Sequence, residues 1–191
     1  MGTVTVEKNF IGARWSKLLI NSAFSGLSTV TGATFGEVAK NKATRKAAQR
    51  IIKECIDVAK AAGIAVEPVQ GHNIAKLFDY KGAFKKAVSF ALIPVAMKKH
   101  ALLISSMLQD IRHGRKCEID FINGTVSEYG AKYGVKTPFN DKVVSVVHAI
   151  EEGKYPPQMK SFRLPTRSDS APMKSVVSVA AAALQPTMAE I

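Results

Sequence analysis

Cysteine is scarce: Cys55 and Cys117 are the two in 191 residues. Neither has a CxxC partner or a histidine at metal-ligand spacing. That excludes a disulfide scaffold and reads as two reduced thiols. His72, His100, His113 and His148 are scattered, with no HxxxH pair, so no metal site is expected. Long apolar runs are also missing. The longest, Val176 to Leu184, falls far short of the ~20 residues that cross a bilayer. No basic start followed by an apolar stretch marks a secretory signal, so a soluble, cytoplasmic protein with no membrane partner is expected. Glycine motifs are lacking as well. Gly26, Gly32 and Gly36 fit neither GxGxxG nor GxxxxGK[ST], and no GxSxG occurs. A dinucleotide loop of the chain's own is thereby excluded. Aromatics are few, at 7%, which leaves little for stacking nucleic-acid bases.

Positive charge and helix-forming residues are abundant. The formal charge is +12, which by itself admits a nucleic-acid partner. The basic positions, such as Lys40, Lys42, Arg45, Lys46, Arg50 and Lys53, alternate with apolar ones along expected helices. They read as solvated faces, and the charge equally suits small anionic ligands. Hydrophobic residues make up 47% of the chain, enough for one sizeable core. Plentiful alanine, lysine and valine lean toward an all-α fold.

Residues 1–8 read as extended, with Val4 and Val6 alternating. A helix is expected from about Phe10 to Phe24, with Trp15, Leu18, Leu19 and Ser22 on one stripe. Lys17, Asn21 and Ser25, at i, i+4 and i+8, share a separate polar face, with Ser25 near the helix end. Gly26, Gly32 and Gly36 mark a loop or short broken helices. Thr44 is placed as the cap of a helix whose apolar stripe is Ala47, Ala48, Ile51, Ile52, Cys55, Val58 and Ala59, ending at Gly63. A connection over 64–75 and a weaker helix through Lys85 follow. A long helical stretch is expected from Pro94 to Arg112, and another from Glu118 to Lys132 burying Ile119, Ile122, Val126 and Tyr129. Thr137-Pro138 signals a helix start, with Thr137 as cap. Val143, Val144, Val147 and Ile150 form that helix's core face. Two units result: a helical domain over 1–158 and a Pro/Ser-rich linker with a short terminal helix over 159–191, a poorly packed tail.

The densest polar segment is SSMLQDIRHGRKCEIDFING, residues 105–124. A helix closes near Gly114, two basic residues follow, and Glu118 and Asp120 open the next helix, where carboxylates suit the dipole. Ser106 and Asp110 lie one turn apart. Two further blocks stand out: WSKLLINSAFSGLSTVTG over 15–32 and GVKTPFNDKV over 134–143.

Together these three blocks, in this order, resemble the C-terminal domain of the ketopantoate reductase (2-dehydropantoate 2-reductase) family. The resemblance implies a multi-helix fold of the 6-phosphogluconate-dehydrogenase C-terminal-like type, here without its Rossmann domain. It implies the substrate-binding and catalytic half of an oxidoreductase that moves hydride from NADPH to a small 2-oxo acid. The most fitting substrate is 2-dehydropantoate, reduced to pantoate in pantothenate biosynthesis. On this resemblance Lys17 is the general acid and Asn21, Ser25, Ser106 and Glu118 bind substrate. Lys17 and Glu118 also meet the cofactor, and there is no metal. Ser25 and, by ungapped count, Phe35 stand where the family has asparagines, which points to altered substrate fit. Asp110 and Arg115 are expected to pair and orient the segment, and Asn123 to be structural.

An N-terminal Rossmann domain, in cis or trans, is the implied partner, with a homodimer possible. Met1 and VTVEKNF suggest a cut near the domain junction, and the isolated chain is expected to be inactive. Two other readings stay open: a non-enzymatic remnant or dimerisation module on the same fold, and, more weakly, a basic nucleic-acid binder.

Overall fold

In the computed structural model, residues 8–69, 71–159 and Pro165 are described. The expected extended start at Val4 and Val6, the tail from 160 other than Pro165, and its terminal helix lie outside them. The described residues form helices and no strand, the all-α fold that the composition favours. None of these helices is long and apolar enough to cross a membrane.

The organising element is α1, Phe10–Thr31, which runs through what sequence reads as its end. Every residue from Ser22 to Thr31 is buried. Gly26 lies inside the helix because two neighbours press on it there. A Cβ at that position would sit 2.7 Å from Asn123 Oδ1 and 2.9 Å from Val143 Cγ1. Packing thus outweighs the ~1 kcal/mol that glycine costs a helix. The stop comes at Gly32, in the left-handed region at φ 69°, whose N–H caps the Ser28 carbonyl. The buried hydroxyls along α1 bond back to its own turns. Ser16 donates to the Gly12 carbonyl, Thr29 to Ser25 and Thr31 to Leu27, so a polar sequence can occupy the centre of the fold.

Around α1 pack α3 (Lys42–Ala61), α6 (Ser106–Arg112) and α8 (Pro138–Glu151). The stripe expected on α3 is fully buried, as is that of α8. Trp15 lies in the same core and donates Nε1–H to the Cys55 carbonyl at 3.0 Å. The cap of α3 is Asn41 and not Thr44. Asn41 Oδ1 accepts from the N–H groups of Ala43 and Thr44. Thr44, already inside, donates to the Val38 carbonyl at 2.7 Å and so fastens the short α2 (Phe35–Lys40). Gly63, at φ 70°, follows α3 as expected.

The continuous helix expected from Pro94 to Arg112 is broken. α5 spans Ala83–Ala96, a 3-10 turn covers Lys98–His100, and α6 starts only at Ser106. The cause is tertiary. The first N–H groups of α2 lack partners within their own helix, and the 101–103 backbone supplies them: Phe35 N–H donates to Leu103 O (2.9 Å) and Gly36 N–H to Ala101 O (3.0 Å). Gly36 permits this approach, since a Cβ there would lie 2.7 Å from the Ala101 carbonyl oxygen. The weaker helix expected through Lys85 is instead α4, Ile74–Phe78, with α5 beginning at Ala83.

The helix expected from Glu118 opens as a π-helix, Asp120–Gly124, continuing into α7, Thr125–Tyr133. The widened turn leaves Ile122 and the adjacent Asn123 both buried. Beyond α8, Gln158 N–H donates to the Val30 carbonyl (3.1 Å), and Tyr155 and Met159 pack on the core. The segment after α8 therefore lies against the end of α1.

Candidate active site

Lys17, Asn21 and Ser25 occupy successive turns of one α1 face, as their spacing requires. Their exposure falls along it: Lys17 is exposed, Asn21 half-buried and Ser25 buried. A long flexible ammonium thus stands in solvent, an amide is half-covered, and a small hydroxyl lies inside the protein.

Ser106 opens α6, and the residue before it ties that helix to α1. Ser105 is the N-cap of α6, accepting from Leu108 N–H at 3.0 Å. Its hydroxyl meets Thr29 Oγ1 at 2.9 Å, and its N–H reaches Ser28 Oγ at 3.3 Å. Thr29 in turn donates to the Ser25 carbonyl at 2.8 Å. Ser105 is buried and Ser106, the first helical residue, is exposed. The segments of Ser25 and Ser106, 81 positions apart, are therefore linked through one threonine hydroxyl.

Glu118 is exposed and stands just before the π-helix. Three contacts hold its segment. Arg115 pairs with Asp110, Nη2 to Oδ1 at 2.7 Å and Nε to Oδ1 at 3.0 Å, the pairing expected from sequence. Cys117 N–H donates to Glu151 Oε1 at 2.8 Å, and Asp120 Oδ1 meets His148 Nε2 at 2.8 Å. The last two anchors come from α8 and bracket Glu118 in the chain. Sequence reasoning gave neither, because both span about thirty residues and involve ordinary helix-end side chains.

A buried polar relay behind the site was also missed. Asn123 Nδ2 donates to the Ser22 carbonyl (3.0 Å) and to Asn140 Oδ1 (2.9 Å). Asn140 Nδ2 donates to Glu54 Oε2 at 2.7 Å. The Glu54 carboxylate also accepts the N–H groups of Phe139 and Asn140, both at 3.0 Å. Glu54, from α3, therefore caps α8. Thr137 occupies the cap position without bonding the backbone, and its hydroxyl goes to Asp141 Oδ1. Burial raises the Glu54 carboxyl from 4.5 to about 7, outweighing these three donors, which pull it down. The relay fastens α1 at Ser22, beside Asn21, to the π-helix and to α8. Asn123 is thus structural, as its place in the sequence indicated.

The two cysteines are free thiols. Burial pushes both up to about 12, and Cys55 also contacts Ser22 Oγ at 3.1 Å. Neither suits nucleophilic chemistry near neutral pH. Among the described residues no group of three or more His, Cys, Asp or Glu side chains is placed to hold a metal ion. Phe35 opens α2 and packs against Phe24, ring centroids 6.0 Å apart, so it is not in a loop.

Residues 9–151 match the protein family described as "Ketopantoate reductase PanE/ApbA C terminal". Among curated proteins, the 2-dehydropantoate 2-reductase of Aquifex aeolicus is 30% identical over 135 residues, 71% of this chain and 39% of that protein. The corresponding protein of Pyrococcus horikoshii is 28% identical over 146 residues, 76% of this chain and 42% of its own. The chain thus spans about two fifths of these relatives. Among solved structures, a PanE/ApbA family ketopantoate reductase from Ralstonia eutropha superposes with a TM-score of 0.61 at 25% identity, covering 78% of this chain and 43% of that one. A D-mandelate dehydrogenase solved with NADH and anilino(oxo)acetate gives 0.61 at 27%, covering 77% and 43%.

Proposed function

The chain belongs to the ketopantoate reductase family as its helical C-terminal domain, and on that premise we propose that it is the substrate-holding, proton-donating half of a 2-oxo acid reductase. The substrate that best fits the relatives is 2-dehydropantoate, reduced to pantoate in the cytoplasm. The observation that supports this reading is the graded α1 face of Lys17, Asn21 and Ser25, with the segment that carries Ser106 tied to α1 through Ser105 and Thr29.

Each group suits a task in carbonyl reduction. Negative charge grows on the carbonyl oxygen as hydride reaches the carbon. The Lys17 ammonium stabilises that charge and gives its proton to the oxygen, leaving a hydroxyl and a neutral amine that water reprotonates. Asn21, one turn further in, donates to the carboxylate or carbonyl of the substrate, and the Ser25 and Ser106 hydroxyls fix its orientation. The Glu118 carboxylate accepts from a substrate hydroxyl. NADPH supplies the hydride when bound. For that cofactor this chain offers Lys17 and Glu118 only, because among the described residues no strand leads into a Gly-rich turn that would cradle a pyrophosphate. The remaining contacts belong to a Rossmann domain in cis or trans.

The test joins this chain to the Rossmann domain of a relative and follows NADPH oxidation with 2-dehydropantoate. The reading requires turnover that falls by roughly 10²–10⁴-fold in Lys17→Ala and no turnover by the chain alone. Robust activity of the isolated chain would sink it. A folded, fully assembled pair with no activity toward any 2-oxo acid would make the domain a non-enzymatic module instead.

A further inference from the structure

Glu118 is held by its backbone and not by its side chain. Among the described residues its carboxylate makes no hydrogen bond or ion pair. Its carbonyl accepts Phe121 N–H at 3.1 Å, and Ile119, next in the chain, is buried. A carboxylate without bonds of its own takes its place from the chain that carries it. Whatever fixes residues 117–120 therefore aims it.

Two side chains of one helix do so. Glu151 Oε1 accepts Cys117 N–H at 2.8 Å, one residue before Glu118. His148 Nε2 meets Asp120 Oδ1 at 2.8 Å, two residues after it. An ionised carboxylate only accepts, so His148 supplies the proton of that bond. His148 and Glu151 lie three positions apart near the end of α8 and so share a face. Arg115 and Lys116 border the same hollow as Glu151. The side chains of the His148–Asp120 pair are 39% and 62% exposed, and pairs so exposed add little to stability. What the two contacts supply is direction.

We infer, on the reading of Glu118 as the acceptor for a substrate hydroxyl, that the last turn of α8 aims Glu118 at that hydroxyl. His148 and Glu151 are then positioning residues that touch neither substrate nor cofactor. The helix is a firm mount. Its core face is buried, Glu54 caps its start, and it packs on α1, which carries Lys17 and Asn21. A 2-oxo acid with a hydroxyl gains from this mount, and one without it does not.

The test uses the chain joined to a relative's Rossmann domain, saturating NADPH and two substrates. One is 2-dehydropantoate, and the other is trimethylpyruvate, the same 2-oxo acid without its hydroxyl. Glu151→Ala and His148→Ala should each lower kcat/KM for 2-dehydropantoate roughly tenfold, since a displacement of ~1 Å can cost more than that. The loss should lie mainly in KM. For trimethylpyruvate it should stay below about twofold. Glu151→Gln and His148→Gln, which keep an acceptor and a donor, should recover most of the loss. In a Glu118→Ala background neither alanine variant should cost anything further, because both act through that carboxylate. This last comparison uses 2-dehydropantoate alone and decides by itself. Equal losses on the two substrates, as misfolding would give, overturn the inference and leave the proposed function standing. So does a loss that persists without the Glu118 side chain, or no loss at all. An assembled wild-type enzyme inactive toward every 2-oxo acid defeats the proposed function and this inference with it.

Discussion

Replacing Glu54 with glutamine should change how the stability of this domain depends on pH. Glu54 is buried between α3 and the start of α8, and its carboxylate receives three N–H donors from Phe139 and Asn140. Burial raises its carboxyl from 4.5 to about 7. Between those values the folded protein holds a proton that the unfolded chain has released. Stability from this group is therefore full below pH 4.5 and is lost as pH climbs toward and through 7. A shift of that size corresponds to about 3 kcal/mol between the two ends of the window. Glutamine is isosteric, keeps one acceptor oxygen and does not titrate. Urea unfolding of both proteins from pH 4 to pH 8 reads the effect. Whatever the constant offset between them, the wild-type protein should lose about 3 kcal/mol relative to Glu54→Gln across the window. Parallel curves would show that the three donors hold the carboxyl at its ordinary value. A wild-type protein that gains ground as pH rises would show that they outweigh burial.

Three further outcomes follow from the same structure. Gly26→Ala drives a methyl into Asn123 and Val143 and should lower stability by roughly 1–3 kcal/mol in thermal unfolding. Lys17→Ala removes an exposed side chain and should leave the unfolding midpoint unchanged while lowering turnover of the assembled enzyme by roughly 10²–10⁴-fold. Native Cys55 and Cys117, both pushed up to about 12, should react with iodoacetamide at pH 8 far more slowly than in urea, as mass spectrometry would record.

Much of the architecture was legible in the chain. The apolar stripes of α3 and α8 are strongly periodic and each buries as read, since spacing alone decides which side chains share a face. The same reasoning put Lys17, Asn21 and Ser25 together, because all three lie within one helix. The Asp110–Arg115 pair was likewise legible, being five residues apart across a turn. Reading failed where a distant partner decided a local question. Gly26 looked like a break, yet Asn123 and Val143 need the space its missing side chain leaves. Residues 101–105 looked helical, yet the carbonyls of Ala101 and Leu103 serve the N-terminus of α2. Thr137 looked like the cap of α8, yet the acceptor is Glu54, more than eighty residues earlier.

Sequence by itself determined the all-α class, the buried stripes of α3 and α8, the family and the composition of the α1 face, all set by near-neighbour spacing or by blocks of adjacent residues. Tertiary structure alone decided that Ser105 and Thr29 join α6 to α1, that α8 brackets Glu118, and that a buried relay from Glu54 to Ser22 holds α1 in place. Those are hydrogen bonds between segments far apart in the chain. Their existence depends on how the helices pack, because a buried donor or acceptor must find whatever partner the packing brings within reach.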